Sequence, residues 1–202
     1  MKNFYSILAN TVVANITTSY LWFALTFWAY LETRSVLATA IIGGMYMLLI
    51  AFFGIAFGTF VDKRKKKYVM VVSSLTTLSM FSLAGLFYLI VGEQGLADLS
   101  SPVFWTFVMI ILFGAVIENM RNIALSTTVT LLVEKTKRDR ANGLVGAAQG
   151  IGFIVTSALS GLSIGFLGLG WTLLIAIVVT ALASLHLLTI SIPEKTIAHD
   201  PN

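Results

Sequence analysis

The chain has no cysteine among its 202 residues, and only two histidines and three prolines. Without a thiol there is no disulfide framework, no thiolate nucleophile and no cysteine metal site. His186 and His199 have no partner at ligand spacing. The sequence also lacks a paired nucleophile and base, a phosphate-binding glycine loop and a metal-ligand cluster, so its pattern is not that of an enzyme and it calls for no cofactor. Charge is scarce as well: 11% of the residues are Asp, Glu, Lys or Arg, against about 25% in soluble domains. What is abundant is apolar, 57% of the chain with a mean hydropathy of +0.91. A soluble core cannot absorb that much apolar surface, and the lipid bilayer becomes the first partner to consider.

Crossing a bilayer takes about 20 apolar residues. Runs that meet this length are 8–31, 37–61, 69–91, 103–133, 144–166 and 169–190, which predicts six spans joined by short connections. The first run has no short apolar core followed by a small-residue cleavage site, so it reads as a retained span and not as a signal peptide. Pro102 suits the start of the fourth, because a first helical turn has no use for its missing N–H. The fold class that follows is all-α integral membrane, with six transmembrane helices in two three-helix repeats. Residues 1–192 form the bundle and 193–202 a tail.

The net charge of +4 comes from cations gathered in a few short clusters, above all the five from Lys63 to Lys67. A nucleic-acid surface would need them on a folded face; here they sit between apolar runs, as membrane loops do, and no nucleic-acid partner is expected. With six spans both termini share a side. Lys2, Lys63 to Lys67, Lys135, Lys137, Arg138, Arg140 and Lys195 place eleven of the 13 cations there. The positive-inside rule makes that side cytoplasmic, in a multi-pass protein of the cell's inner (plasma) membrane. Glu93 and Asp98 lie in an opposite loop.

Two charges interrupt the fourth run, in Glu118-Asn-Met-Arg121. A charge at mid-bilayer costs roughly 2.5–3.5 kcal/mol even on a lenient scale, so both need a reason to be there. Their i, i+3 spacing puts them on one helix face, where they can neutralise each other. Asn119 and Asn122 extend that face. It reads either as the lining of a substrate cavity, with Glu118 taking up a proton, or as a self-satisfied pair that fixes packing. The first run carries a second polar stripe, Asn15, Thr18, Ser19, Trp22 and Thr26, which should face protein or water and not lipid. Hydroxyls of the third run (Ser73, Ser74, Thr76, Thr77, Ser79 and Ser82) are expected to bond their own backbone. In the fifth run Gly143, Gly146, Gly150, Gly152 and Gly161 recur at short spacings, a pattern that lets another helix approach closely.

Six spans, cytoplasmic termini and a basic loop after the second span resemble the N-terminal half of a major facilitator superfamily transporter. The family's loop signature, G-x-L-A-D-R-x-G-R-K, lies on Gly58, Phe60, Val61, Asp62, Lys63, Arg64, Lys65, Lys66 and Lys67, keeping the first Gly, the Asp and the basic character while Lys65 replaces the second Gly. The antiporter signature of span five, G-x8-G-x3-G-P-x2-G-G, keeps Gly143, Gly152 and Gly161, with Thr156, Ser157 and Ser160 in place of Gly, Pro and Gly. Thr130-Leu-Leu-Val-Glu134, Arg140-Ala-Asn-Gly143 and the closing Ile-Pro-Glu194 are most similar to the macrolide-efflux and siderophore-exporter branch of drug:proton antiporters.

The resemblance implies half of an alternating-access transporter that exports drug-like or amphipathic small molecules by proton antiport. Glu118, Arg121, Asn122, Asn15, Ser19 and Trp22 would line the substrate and proton cavity. Gly58, Asp62, Lys63 and Lys66 would form a gating loop against a second six-span half, supplied by a separate chain or a second copy. The tail would begin the central loop of longer relatives. The alternative is a non-transporting, truncated or regulatory membrane module that pairs with another subunit through its small-residue faces.

Overall fold

The computed structural model describes residues 2–192 and Glu194; the expected tail, with Lys195 and His199, otherwise lies outside the described residues. Inside a bilayer every backbone polar group must be satisfied within the protein, and long apolar runs therefore close their hydrogen bonds as helices. Helix α1 spans Lys2–Thr33, α2 Val36–Asp62, α3 Lys66–Leu96, α4 Pro102–Leu132 and α5 Arg138–Thr189, with a 3-10 turn at Lys135–Lys137. All five are long and apolar enough to cross a membrane. The described residues contain no strand.

Helix starts follow local chemistry. The Ser35 side chain caps α2 by accepting from the Ala38 N–H at 3.1 Å, after a turn in which Arg34 takes a φ of 52°. Ser101 caps α4 by accepting from Val103 N–H, and Pro102 occupies the first turn as expected. The fifth and sixth expected spans are carried by the one element α5, interrupted at Gly168, where φ is 76° and ψ 177°. Ser163 and Thr172, nine residues apart, share a hydrogen bond of 2.8 Å between their hydroxyls. A straight helix would separate them by about 13 Å along its axis. The chain therefore reverses at Gly168.

Helix α1 packs most extensively on α5, and α3 on α4. The core between them is aromatic: Trp28 stacks on Phe104 at 6.1 Å and meets Phe107 edge-on at the same distance. Two glycines bring the backbones close. An added Cβ on Gly114 would lie 2.9 Å from Met80, and one on Gly152 would lie 3.2 Å from Ile16. Lipid is as apolar as leucine, so such close packing and interhelical hydrogen bonds, more than burial of apolar surface, hold the helices together. The outer surface is apolar in turn: Phe52, Ile55, Ile90 and Phe166 are each about 80% exposed (79–84%). Helix α2 buries little, with Ala38, Ile42 and Val61 its only buried residues.

Candidate functional site

A cavity of about 160 Å³ opens between α1, α2, α4 and α5. Its polar wall comes from Asn15, Thr18 and Ser19 of α1, Tyr46 of α2, Glu118, Asn119 and Asn122 of α4, and Gln149 and Thr156 of α5. Helical spacing explains the convergence. Asn15 and Ser19, Glu118 and Asn122, and Gln149 and Thr156 each lie one or two turns apart on their helix, so each pair shares a face. Asn15 donates from Nδ2 to Asn122 Oδ1 at 2.6 Å, which pins α1 to α4 across the cavity floor.

Glu118 is only 2% exposed, yet its carboxylate is well partnered. Oε1 faces Arg121 Nε at 2.6 Å. Oε2 lies 3.2 Å from Ser73 Oγ and 3.1 Å from Thr77 Oγ1 of α3. Those hydroxyls also reach α4 carbonyls, Ser73 that of Ile117 and Thr77 that of Gly114, both at 2.9 Å. Each hydroxyl has one proton for two acceptors, so carboxylate and helix carbonyl compete for it.

Arg121 is fully buried and does not line the cavity. Besides its ion pair with Glu118, it donates from Nη1 to Asn10 Oδ1 at 2.7 Å and from Nη2 to Ser74 Oγ. Because guanidinium only donates, Asn10 must turn its oxygen to Arg121, and its Nδ2 then serves α5, donating to the Ala183 carbonyl at 2.8 Å with His186 Nδ1 at 3.1 Å. A continuous polar network thus runs from α3 through Glu118 and Arg121 to α1 and the end of α5.

Asn15, Ser19, Glu118 and Asn122 come together around the cavity. Trp22 does not line it; it lies one turn further along α1 with its ring 4.7 Å from that of Tyr46. Tyr46, Gln149 and Thr156 were missed by the sequence reading. For the last two a signal exists, a polar pair at i, i+7, but it lies among glycines whose spacing is equally that of helix packing. For Tyr46, alone in an apolar helix, there was none. The third-span hydroxyls divide: Thr76 and Ser79 bond their own helix as expected, whereas Ser73, Ser74 and Thr77 reach across to α4, because they occupy the α3 face that packs on it. His186, which has no partner at ligand spacing in the sequence, meets Asn10 in the fold.

Of the expected gating residues, Gly58 has open space where a Cβ would sit, and Asp62 and Lys63 are exposed. Lys66 is fully buried. Its backbone N–H donates to Glu194 Oε2 at 2.6 Å, and its ammonium donates to the carbonyls of Val61 at 2.8 Å and Arg64 at 3.0 Å, with Glu194 Oε1 at 3.7 Å. Among the expected packing glycines, Gly152 meets Ile16 and Gly161 meets Phe27, while Gly143, Gly146 and Gly150 face open space.

Residues 7–201 match the family model described as Major Facilitator Superfamily. The chain is 25% identical to macrolide efflux protein A of Streptococcus pyogenes, over 98% of its own length and 48% of that protein's, and equally to the same protein from serotype M6. It spans about half the length of the curated relatives it matches. No solved structure matches it significantly.

Proposed function

From the premise that this chain belongs to the Major Facilitator Superfamily, a family of membrane transporters and not of enzymes, we propose that it forms one half of an alternating-access exporter of amphipathic small molecules, driven by proton antiport. The chain is a multi-pass membrane protein. Read with α5 as two crossings, the bundle has six spans, residues 1–192, and both termini on the cytoplasmic side of the cell's inner (plasma) membrane. The fold-back at Gly168 and the cation-rich connections support this topology.

The observation that carries the proposal is the polar cavity with Glu118 at its edge. At about 160 Å³ it is smaller than the ~300–1,000 Å³ usual for small-molecule sites. A second six-span half, from a separate chain or a second copy, would supply the other wall, and midplane sites at repeat interfaces are the general logic of such folds. Asn15, Ser19, Asn122 and Glu118 would contact substrate. Arg121 would act from behind, orienting the carboxylate, and Trp22 would brace Tyr46.

Glu118 would carry the proton. With the carboxylate ionised, Ser73 and Thr77 donate to Oε2. Once Oε2 is protonated, its O–H donates to one hydroxyl, and both hydroxyls turn to the carbonyls of Ile117 and Gly114. Either state keeps Oε2 and both hydroxyls hydrogen-bonded, and on protonation the Arg121 guanidinium retains Asn10 and Ser74 as acceptors, which supports reversible protonation at a buried site. Gly58, Asp62 and Lys63, together with the open small-residue stretch at Gly143, Gly146 and Gly150, would face the second half. Lys66 would hold the gating loop in place from behind.

The test is drug-driven proton movement in proteoliposomes containing this chain and a second half, with a macrolide as the first compound because of the relatives' named activity. Glu118→Gln should abolish the coupled proton flux; unchanged coupling in that variant would remove Glu118 from the proton path. A chain that stays monomeric, recruits no second half and moves no compound would instead support the regulatory module.

A further inference from the structure

A second concavity, sharing no lining residue with the central cavity, lies between α3 and the Gly168 reversal of α5. Its volume of about 730 Å³ falls within the ~300–1,000 Å³ of small-molecule sites. Leu86, Leu89, Leu174 and Ile177 make its walls apolar, Tyr88 and Trp171 add aromatic rings, and Glu93 supplies a carboxylate.

That carboxylate is placed by specific devices. Gly92, with φ 74° and ψ 164°, breaks α3 and turns Glu93 back onto the preceding helix. Tyr88 donates its hydroxyl to Oε2 at 3.3 Å, and the indole of Trp28, only 2% exposed, donates to Oε1 at 3.0 Å. Tyr88 is itself seated against Gly170, where an added Cβ would lie 2.9 Å from its ring. Both donors are neutral. Among the described residues no Lys, Arg or His nitrogen lies within 4.0 Å of Glu93. Glu93 is half-buried and borders the groove, so its carboxylate is oriented, only partly solvated and, among the described residues, not held in an ion pair.

We propose that this groove binds a lipophilic ammonium ion, an apolar body bearing one positive nitrogen, with Glu93 as its counter-charge. An anion would be repelled there, and a neutral apolar ligand would strip water from the carboxylate and return nothing. A cation offsets the charge, and the rings of Tyr88 and Trp171 suit a quaternary nitrogen as well as a protonated amine. The site does not depend on the transport reading, because it lies wholly within this chain.

The test is equilibrium binding to the purified full chain in dodecyl maltoside, using tritiated 4-phenylbutyl-trimethylammonium and its neutral isostere with carbon in place of nitrogen. The wild type should bind the cation about tenfold or more tightly than the isostere. Glu93→Gln should bind both with the isostere's affinity, which also reports that the groove remains folded. Leu86→Trp, at a lipid-facing position on the wall, should weaken both probes about tenfold by filling the groove, and it leaves Glu93 untouched should the first variant fail to fold. Equal affinities in the wild type, a cation preference that survives Glu93→Gln, or undiminished binding in Leu86→Trp would each overturn the proposal. So would loss of cation binding on adding phosphatidylethanolamine, which would assign the groove to a lipid headgroup.

Discussion

Arg121 ties three helices together: it forms an ion pair with Glu118 on its own helix and donates to Asn10 on α1 and Ser74 on α3. Removing one member of a buried ion pair strands the other, at a cost of about 3–5 kcal/mol, whereas neutralising both members costs far less. Arg121→Leu should therefore lower the thermal unfolding midpoint in detergent sharply, and Glu118→Gln in the same chain should recover most of the loss. A double variant no more stable than the single would mean that the arginine's other donations dominate. Outside the membrane, Glu134 offers a simpler case. Its hydrogen bond to Lys137, at 2.7 Å, and that residue's charge hold its carboxyl below the ordinary value of 4.5. A depressed acid adds stability above its unfolded pKa and loses it as pH falls through the folded value, so this contact should open only below the ordinary carboxylate range. Lys137→Ala should return the Glu134 titration, followed by carbon NMR, to that range. The i, i+3 spacing of both pairs was legible in the sequence. The donations to Asn10 and Ser74 were not, since residues 111 and 47 positions away become neighbours only through packing.

Gly168 decides the course of α5. A φ of 76° with a ψ of 177° belongs to a region that is essentially glycine's alone, and forcing a side chain into it costs on the order of 1–3 kcal/mol. No atom lies within 4 Å of the Cβ position, so Gly168→Ala tests backbone strain without a clash. It should lower stability by that amount. Gly143→Ala is the matched contrast, because Gly143 sits in regular helix with equally open space. That change should be neutral or stabilise by up to about 1 kcal/mol in the isolated chain. If both variants behave alike in thermal unfolding, the reversal does not depend on positive φ. The gap between the apolar runs 144–166 and 169–190 places a connection there, but composition does not say which glycine takes the unusual backbone.

On the scale of the molecule, the basic connection between α2 and α3 is tied to the segment after α5. Lys66 is fully buried against Glu194, while its neighbours Lys63 and Lys65 are exposed. Acetic anhydride should therefore modify Lys63 and Lys65 readily and Lys66 slowly, as read by peptide mass spectrometry. Glu194→Ala should bring Lys66 to its neighbours' rate; a Lys66 still protected would show that the carbonyls of Val61 and Arg64 suffice to hold it. One cation in a run of five is thus fully buried, and charge patterning alone treats all five as equals. What the sequence by itself determined is the class of the protein and the helical character of its apolar runs. A bilayer requires long apolar segments and leaves the backbone no partner but itself. It also picked out Glu118, because an ionisable side chain in such a segment needs a reason to be there. Only the tertiary structure decided that Arg121 turns inward, that Tyr46 and not Trp22 lines the cavity, and that Glu93 is set at the edge of an apolar groove. Helical periodicity says which residues share a face, but the neighbour that face meets is set by close contacts such as Gly152 on Ile16 and Gly170 on Tyr88, which join residues far apart in the chain.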